Sequence, residues 1–563
     1  KISYFRNKYQ IVNPTYIEPL ENEDKIKKIF PKYSLTEGLT EKTYRNLVSK
    51  VLEKIEDKDE WYTQEFLRKN DFNNFKQTFL NLHNPLKKID IKSNDYKRLV
   101  YDEIFSNFIT LLKNRKIIKI KKERKHFSGF FQNIILKNFT FKLNQGQKKI
   151  LEEINFEIKS QNRMFRLLQG DVGSGKTILA LIAGANVIES KYQVAFMAPT
   201  EILANQHFSL AKTLFRSTKI KIEILTSKMN YKNKELIINK LKKGEIDLIF
   251  GTHSLFQKKI EFFNLGLIII DEQHKFGVRQ RLELAKKGGD NCDLLLISAT
   301  PIPRTMMLSF FGDMDISRLK EKPKNRKEII TLAKPENKIS ELWPLLKKEI
   351  SLNRQIFWIC PLIEDSNKLD YSSVKNKYNI INKIFPNQVA LIHGLLDKIE
   401  KENVLKKFLN KEIKILISTT VIEVGIDFPS ANIIIIENAN KFGLSQLHQL
   451  RGRVGRGSNE SMCILLYKSN LSTNAKKRLK ILKSTNDGFI IAEKDLELRG
   501  YGDILGFQQS GIKNFMFADP IHHKEIFFLA EKDIKKIDKK NLKKFENLIK
   551  LYDRAEIIHK LSN

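Results

Sequence analysis

An α/β protein with two tandem parallel-sheet lobes, led by a helical linker and trailed by a helical region, is the architecture that this 563-residue sequence predicts. Three observations carry that expectation. Short apolar, β-rich runs alternate with helical segments through the middle of the chain, the pattern of a parallel sheet covered on both faces. The alternation comes in two sets, divided near Pro323. On both flanks apolar residues at helical spacing replace it. At about 100–200 residues per domain, the length admits three or four domains and is too great for one core.

Residues 1–30 contain a short alternating stretch, Tyr9-Gln10-Ile11-Val12, and two prolines, Pro14 and Pro19, and read as the end of a β-rich unit. A helical linker is expected over 31–130. Leu39, Leu47, Val48, Val51, Leu52 and Ile55 recur at helical spacing, as do Leu99, Val100, Phe105, Phe108, Ile109 and Leu112. Asn94 or Asp95 suits the start of the second of these helices. The run 113–127 has eight Lys/Arg against one Glu and reads either as a solvated helix end or as a track for phosphates. The first lobe, 131–325, takes its strands from 165–168, 194–197, 248–250, 267–270 and 294–297. The second, 326–475, takes them from 356–359, 389–392, 415–417, 433–436 and 463–466. The region 476–563 is helical and Lys-rich, and its stripe Leu542, Phe545, Leu548, Ile549 and Tyr552 is expected to pack against the lobes.

Lys+Arg 100 against Asp+Glu 65 leaves +35, which points first to a polyanion such as nucleic acid, although a compositional bias toward Lys, Ile and Asn would raise the same number. With 41% hydrophobic and 29% charged residues the chain is of the globular class, not fibrous or disordered. Cys292, Cys360 and Cys463 are widely spaced and cannot all pair, so the sequence carries no disulfide framework and no CxxC zinc pattern, and a reducing cytoplasm fits. No apolar run reaches the ~18 residues of a membrane span, and the opening KISYFRNKYQ lacks an apolar secretory core. Because the first residue is Lys1 and not Met, the chain is expected to be a fragment.

Gly170-Asp171-Val172-Gly173-Ser174-Gly175-Lys176-Thr177 fits GxxxxGK[ST] between an expected strand and an expected helix, 178–188. Its glycines let backbone amides turn onto phosphate oxygens at a helix N-terminus. Lys176 can reach the β/γ-phosphates of ATP, and the Thr177 hydroxyl can ligate Mg²⁺. About 95 residues on, an apolar strand ends in Asp271-Glu272-Gln273-His274. Acids delivered at the carboxyl edge of a parallel sheet suit a metal-phosphate site. Asp271 would hold Mg²⁺ and Glu272 would orient and deprotonate the attacking water, with Gln273 and His274 relaying the γ-phosphate state. In the second lobe, Gln449-Leu450-Arg451-Gly452-Arg453-Val454-Gly455-Arg456-Gly457 spaces guanidinium groups toward a common anion. By itself such a loop could bind nucleic acid. In a second lobe, Arg453 and Arg456 can stabilise charge on a transferring phosphoryl group.

Together these residues resemble a superfamily 2 helicase motor with two RecA-like lobes. Gln147, in Leu143-Asn144-Gln145-Gly146-Gln147, is similar to the glutamine that recognises adenine. Pro199-Thr200 in Ala198–Glu201 and Thr252-His253 after Gly251 resemble loops that track a strand backbone. Ser298-Ala299-Thr300 resembles the segment linking hydrolysis to DNA movement, and Thr419-Thr420 through Gly425 and Asp427 the segment that touches both ATP and DNA. The resemblance adds Gln449 to the catalytic set.

The strings GDVGSGKT, APTEILANQH, IIIDEQHKFGVRQR, SATPIPRT, TTVIEVGIDFP and QLHQLRGRVGRG narrow the resemblance to the RecG family of branched-DNA translocases. Residues 495–511 are similar to the translocation segment shared by that family and the transcription-repair coupling factor, with Arg499 and Gln508 as polar levers and glycines at 500, 502, 506 and 511. Asn144 stands where a Thr is usual and Tyr501 where a Pro is usual. The resemblance implies an ATP- and Mg²⁺-dependent motor on duplex and branched DNA, acting at stalled forks and Holliday junctions. It further implies a monomer, cytoplasmic and nucleoid-associated, with a single-stranded-DNA-binding protein as partner. It makes 1–30 the last part of an OB-type wedge domain, most of which would lie upstream of Lys1. Two other readings compete: a duplex translocase that displaces RNA polymerase, for which no binding module is visible, and a non-catalytic nucleic-acid scaffold, against which the intact Lys176, Thr177, Asp271, Glu272, Arg453 and Arg456 argue.

Overall fold

The alternating stretch near the N-terminus forms half of a hairpin: β1 (Ile2–Phe5) pairs antiparallel with β2 (Lys8–Ile11), Ile2 opposite Ile11. The structure, a computed structural model, describes residues 2–552 except 6, 13, 15–16, 24–26, 56–59, 140, 228, 258, 273–287, 300, 304–313, 322–326, 362–366, 395, 420–427, 429, 456–459, 469, 500–514 and 538–540. The chain divides into two units, residues 1–110 with 513–560, and residues 111–512 with 561–563.

The first unit is helical beyond its hairpin. Thr40, Thr63 and Asn74 each cap a helix by accepting a backbone N–H three residues on, for Glu41–Glu53, Gln64–Lys69 and Phe75–His83. The helix Asn94–Ile118 begins where a short polar side chain was expected. Its Val100, Ile104 and Ile109 are fully buried. Arg98 is buried too, which is tolerable because its guanidinium donates to Asp102 at 3.0 Å and to Glu60 at 2.9 Å and lies 4.7 Å from the Tyr62 ring centre. The C-terminal stripe, for which the lobes were the expected partner, packs against this helix. Phe545 meets Phe105 at 5.5 Å, and the Tyr552 hydroxyl donates to Leu99 O at 3.1 Å. The buried Glu103 carboxylate accepts the amides of Met516, Phe517 and Ala518 at 2.6, 2.9 and 3.0 Å, which fixes the path of the returning chain.

The second unit holds both lobes. The first is a seven-stranded parallel sheet of β3 (Phe165–Gly170), β4 (Gln193–Met197), β5 (Ile222–Leu225), β6 (Leu248–Gly251), β7 (Leu265–Ile270), β8 (Asp293–Ser298) and β9 (Asp315–Leu319), in the order β5-β6-β4-β7-β8-β3-β9. The second is a six-stranded parallel sheet of β10 (Ile329–Pro335), β11 (Gln355–Cys360), β12 (Val389–Ile392), β13 (Ile415–Thr419), β14 (Ala431–Ile436) and β15 (Ser461–Tyr467), in the order β10-β15-β14-β11-β13-β12. Two parallel-sheet lobes are as the sequence predicts. Their inner strands, such as β7 and β14, are buried at every residue and therefore read as unbroken apolar runs. The three strands outside the expected set, β5, β9 and β10, are all edge strands with partly exposed residues, so their sequences alternate and carry Glu, Asp or Lys.

Half of the basic run's eight cations belong to packing. Lys122 and Lys125 bury their ammonium groups on Asp293, at 2.6 and 2.9 Å, and Lys122 also donates to Glu157 O and Ile158 O. Arg115 pairs with Asp315, as does Lys119 at 2.6 Å. Four cations of the run thus clasp the start of β8 and of β9, where a phosphate track was one of the two expectations.

Candidate active site

The strand order decides where a ligand goes. After β3 the chain crosses over β8 and β7 to form β4, so loops leaving β3 and its neighbours diverge and open a crevice at the carboxyl edge. The phosphate loop leaves β3 there and enters the helix Lys176–Glu189, whose residues Ile178 to Ile188 are all buried. Gly175 turns at φ +92°, and a Cβ on it would lie 2.4 Å from Gln147 Nε2. Only glycine fits the turn and that approach.

Gln147 holds the loop from the other side. It sits in a capping box at the start of the helix Gln145–Lys159: Asn144 Oδ1 accepts the Gln147 amide at 2.7 Å, and Gln147 Oε1 accepts the Asn144 amide at 2.9 Å. Gln147 Nε2 donates to Ser174 O at 2.9 Å. Asn144 thus supplies the local bond of a threonine there. Lys176 Nζ donates to Gly170 O at 2.9 Å and Asp171 O at 2.8 Å, which holds the ammonium at the mouth of the loop. Ser174 Oγ is buried without a hydrogen-bond partner among the described residues, and Thr177 is half-buried one residue into the helix.

Two strands away, Asp271 and Glu272 leave β7. Asp271 Oδ2 lies 2.9 Å from His207 Nε2, and its Oδ1 accepts the Glu272 amide at 2.9 Å. Burial alone would raise the Asp271 carboxyl, but the His207 hydrogen bond and charge, Lys176 and the Glu272 amide hold it below the usual carboxylate range. Glu272 goes the other way. Burial and then the neighbouring Asp271 charge push its carboxyl up, and Lys176 and Arg453 offset this only in part. The two acids are therefore differentiated, one held ionised and one made a stronger base. Glu272 also adopts φ +51°, a left-handed backbone that a non-glycine residue holds only where its surroundings enforce it.

The second lobe closes on this edge. A Cβ on Gly452 would come within 2.9 Å of the Val172 side chain, so the turn after the helix Leu444–Arg451 lies directly on the phosphate loop. Arg453 is buried, which lowers its guanidinium pKa, and the Glu272 charge counters that. His448 Nε2 lies 2.7 Å from Asp171 Oδ1, and His448 Nδ1 lies 2.8 Å from Arg451 Nη2. Arg451 Nη1 in turn donates to Leu482 O at 2.8 Å and Thr485 O at 3.0 Å, at the end of the helix Thr473–Ser484. Gly488, opening the helix Gly488–Arg499, seals the cluster: a Cβ there would lie 2.7 Å from His448 Nε2, 2.9 Å from Pro301 Cγ and 3.1 Å from Asp171 Oδ1.

Gln147, Lys176, Asp271, Glu272 and Arg453 thus gather around the phosphate loop, and Gln449 is half-buried in the adjoining helix. Pro199 and Thr200 follow β4, and Thr252 and His253 follow the neighbouring β6, with the Ala198 amide donating to Gly251 O at 2.9 Å. Ser298 ends β8, buried. Thr419 ends β13, its hydroxyl buried without a partner among the described residues. Gln273, His274, Thr300, Thr420, Gly425, Asp427, Arg456 and Gln508 lie outside the described residues, and Arg499 closes its helix. His207, His448 and Gly488 were not among the expected site residues. The two histidines sit inside strings that carried the resemblance, ANQH and QLHQ, but their acid partners lie 64 and 277 residues away.

The DEAD/DEAH box helicase family matches residues 144–308, the helicase conserved C-terminal domain 337–458, and the C-terminal part of domain 3 of the ATP-dependent DNA helicase RecG residues 485–541. The ATP-dependent DNA helicase RecG of Bacillus subtilis (strain 168) is 41% identical over 515 residues, which cover 90% of this chain and 75% of that protein. The chain belongs to the RecG family. Its relative from Thermotoga maritima is 38% identical over 548 residues, 96% of this chain and 69% of that one. A solved structure of RecG bound to a three-way DNA junction superposes with a TM-score of 0.68 at 35% identity, covering 94% of this chain and 70% of that one. As a RecG-family protein the chain is an ATP-dependent DNA helicase. Among the described residues no helix is long and apolar enough to cross a membrane.

Proposed function

We propose that this chain is an ATP-driven translocase on double-stranded DNA that remodels branched DNA such as stalled forks and Holliday junctions. The observation that carries the reading is the docking of Gly452 and Arg453 from the second lobe onto the phosphate loop and Glu272 of the first. Hydrolysis sensed at such a junction is felt by both lobes at once.

The residues suit ATP and Mg²⁺. The buried Ser174 Oγ, without a partner among the described residues, and the inward-turning loop fit phosphate oxygens. Asp271 is held below the usual carboxylate range and Thr177 offers a hydroxyl, while among the described residues no group of three or more His, Cys, Asp or Glu is arranged to hold a metal ion. Asp271 and Thr177 are the residues that would hold the cation. When bound, Mg²⁺ supplies charge neutralisation across the β- and γ-phosphates. Gln147 would read adenine with its second amide hydrogen and second carbonyl lone pair, Lys176 would bind the β/γ-phosphates, and Glu272 would take the proton of the attacking water. Arg453, with Arg456 and Gln449, would stabilise the charge that develops on the transferring group. Release of that charge would loosen Gly452 and His448 from the loop and move the helices 473–484 and 488–499, to which the Arg451 bonds and Gly488 connect them. Pro199, Thr200, Thr252, His253, Ser298, Thr300, Thr419, Thr420, Arg499 and Gln508 would carry that motion to DNA. Asp171, Gly170, Gly173, Gly425 and Asp427 complete the nucleotide set.

We place the protein in the cytoplasm at the nucleoid, as a monomer with a single-stranded-DNA-binding protein as partner. The test is ATP turnover with no DNA, single strand, linear duplex and a four-way junction, beside strand-exchange of the junction. Stimulation by junction and duplex with arm movement supports the reading. Turnover without arm movement overturns it, and polymerase displacement on unbranched duplex would favour the second reading.

A further inference from the structure

The chemistry proposed above uses Asp271 but not the histidine bonded to it. His207 is buried, its Nε2 lies 2.9 Å from Asp271 Oδ2, and its ring packs 4.8 Å from that of Phe196 on β4. A carboxylate oxygen accepts, so the bond is made by the His207 tautomer that carries a proton on Nε2. The other carboxylate oxygen accepts the Glu272 amide, so the Asp271 side chain is gripped at both oxygens, and these two bonds use one lone pair of each. A carboxylate held in that way presents a fixed direction to a cation, as outer-shell hydrogen bonds commonly do for metal ligands.

The helix that carries His207 has a second attachment. Thr200 caps Glu201–Leu214 by accepting the Leu203 amide at 3.3 Å, and Pro199-Thr200 is the loop assigned above to DNA. His207 stands seven positions on from Thr200 along the helix, a rigid strut of about 10 Å. One end stands at the DNA-tracking loop and the other at the carboxylate of the nucleotide site.

We infer that His207 is a positioning residue, which sets the Asp271 carboxylate for the nucleotide-bound cation and makes the 201–214 helix part of the frame of the metal site. This rests on the ATP and Mg²⁺ reading of the preceding section. The group aligned is Asp271; His207 itself touches neither nucleotide nor cation.

The experiment measures Mn²⁺ affinity of the ADP complex by electron paramagnetic resonance, with and without linear duplex, in the full chain and in the variants His207→Gln and His207→Leu. Glutamine keeps an N–H donor at similar reach, and leucine keeps bulk against Phe196 without a donor, so packing is matched and the hydrogen bond differs. The expected result is a roughly tenfold loss of Mn²⁺ affinity in His207→Leu, with His207→Gln within about threefold of the parent and metal-free ADP affinity unchanged in both. Addition of duplex should shift Mn²⁺ affinity in the parent and in His207→Gln and leave His207→Leu unmoved. Equal Mn²⁺ affinities for the two variants, whether both intact or both weakened, overturn the inference. A parent chain that binds no Mn²⁺ with ADP defeats the nucleotide-site reading instead.

Discussion

His207–Asp271 and His448–Asp171 are the same two groups at nearly the same distance, 2.9 and 2.7 Å, yet they join different bodies. The first lies inside one lobe, between a helix and the adjacent β-strand end, and has no reason to break when the lobes part. The second spans the two lobes and must break when they part. One pair therefore sets geometry and the other registers closure. An identical hydrogen bond takes its meaning from whether its partners belong to one rigid element or two.

Arg453→Ala separates charge from closure and carries the largest expected effect. Turnover at saturating ATP should fall by about 10³-fold, with ADP affinity within a few-fold of the parent by fluorescence titration. A loss below tenfold would leave His448 and Gly452 as the second lobe's main contribution and redraw the contrast. Next comes Gly488→Val, which forces a side chain onto His448, Pro301 and Asp171 at once. DNA-stimulated ATP turnover should drop roughly 10- to 100-fold, the scale of an ångström-sized misplacement. Gly394→Ala, where a Cβ meets nothing within 4 Å among the described residues, serves as the silent control.

His448→Ala tests the inter-lobe pair more gently. It should weaken closure by on the order of 1–2 kcal/mol, seen as a wider distance distribution between dyes on the two lobes. The smallest effect concerns the basic run. Burial would raise the Asp315 carboxyl, but its hydrogen bond with Glu157 and the charges of Lys119 and Arg115 bring it down to about 2. A carboxylate held below its unfolded value of about 4 stabilises the fold above that pH, and the contribution is lost as pH falls toward 2. Because the pair is partly solvated, the amount is about 1 kcal/mol. Urea unfolding of Asp315→Asn between pH 5 and pH 2, compared with the parent, should show a shallower acid slope.

Much of this was legible from residue order. The phosphate loop, the Asp271-Glu272 pair and the arginine loop announce themselves because their chemistry needs fixed residue types at fixed spacing. Inner strands do too, since burial on both faces leaves nothing but apolar residues. Edge strands β5, β9 and β10 escaped because solvent on one side admits Glu223, Arg318 and Lys334. The histidines escaped for another reason: a His in a helix looks the same whether it faces water or a carboxylate, and only the fold says which acid it meets. The C-terminal stripe was legible as apolar, but its partner, the helix Asn94–Ile118, lies some 440 residues earlier in the chain, at Leu99 for Tyr552 and Phe105 for Phe545.

The clasp of Arg115, Lys119, Lys122 and Lys125 on Asp293 and Asp315 also bears on ionic strength. A protein bound to duplex releases condensed counterions according to the phosphates it neutralises, and each contributes about −0.9 to the slope of log affinity against log salt. Cations already neutralised within the fold release none. The formal +35 therefore overstates the counterion release available to this chain. Its salt response reports on exposed cations such as Lys121 and Arg124, while the neighbouring Lys122 and Lys125 are buried in the lobe.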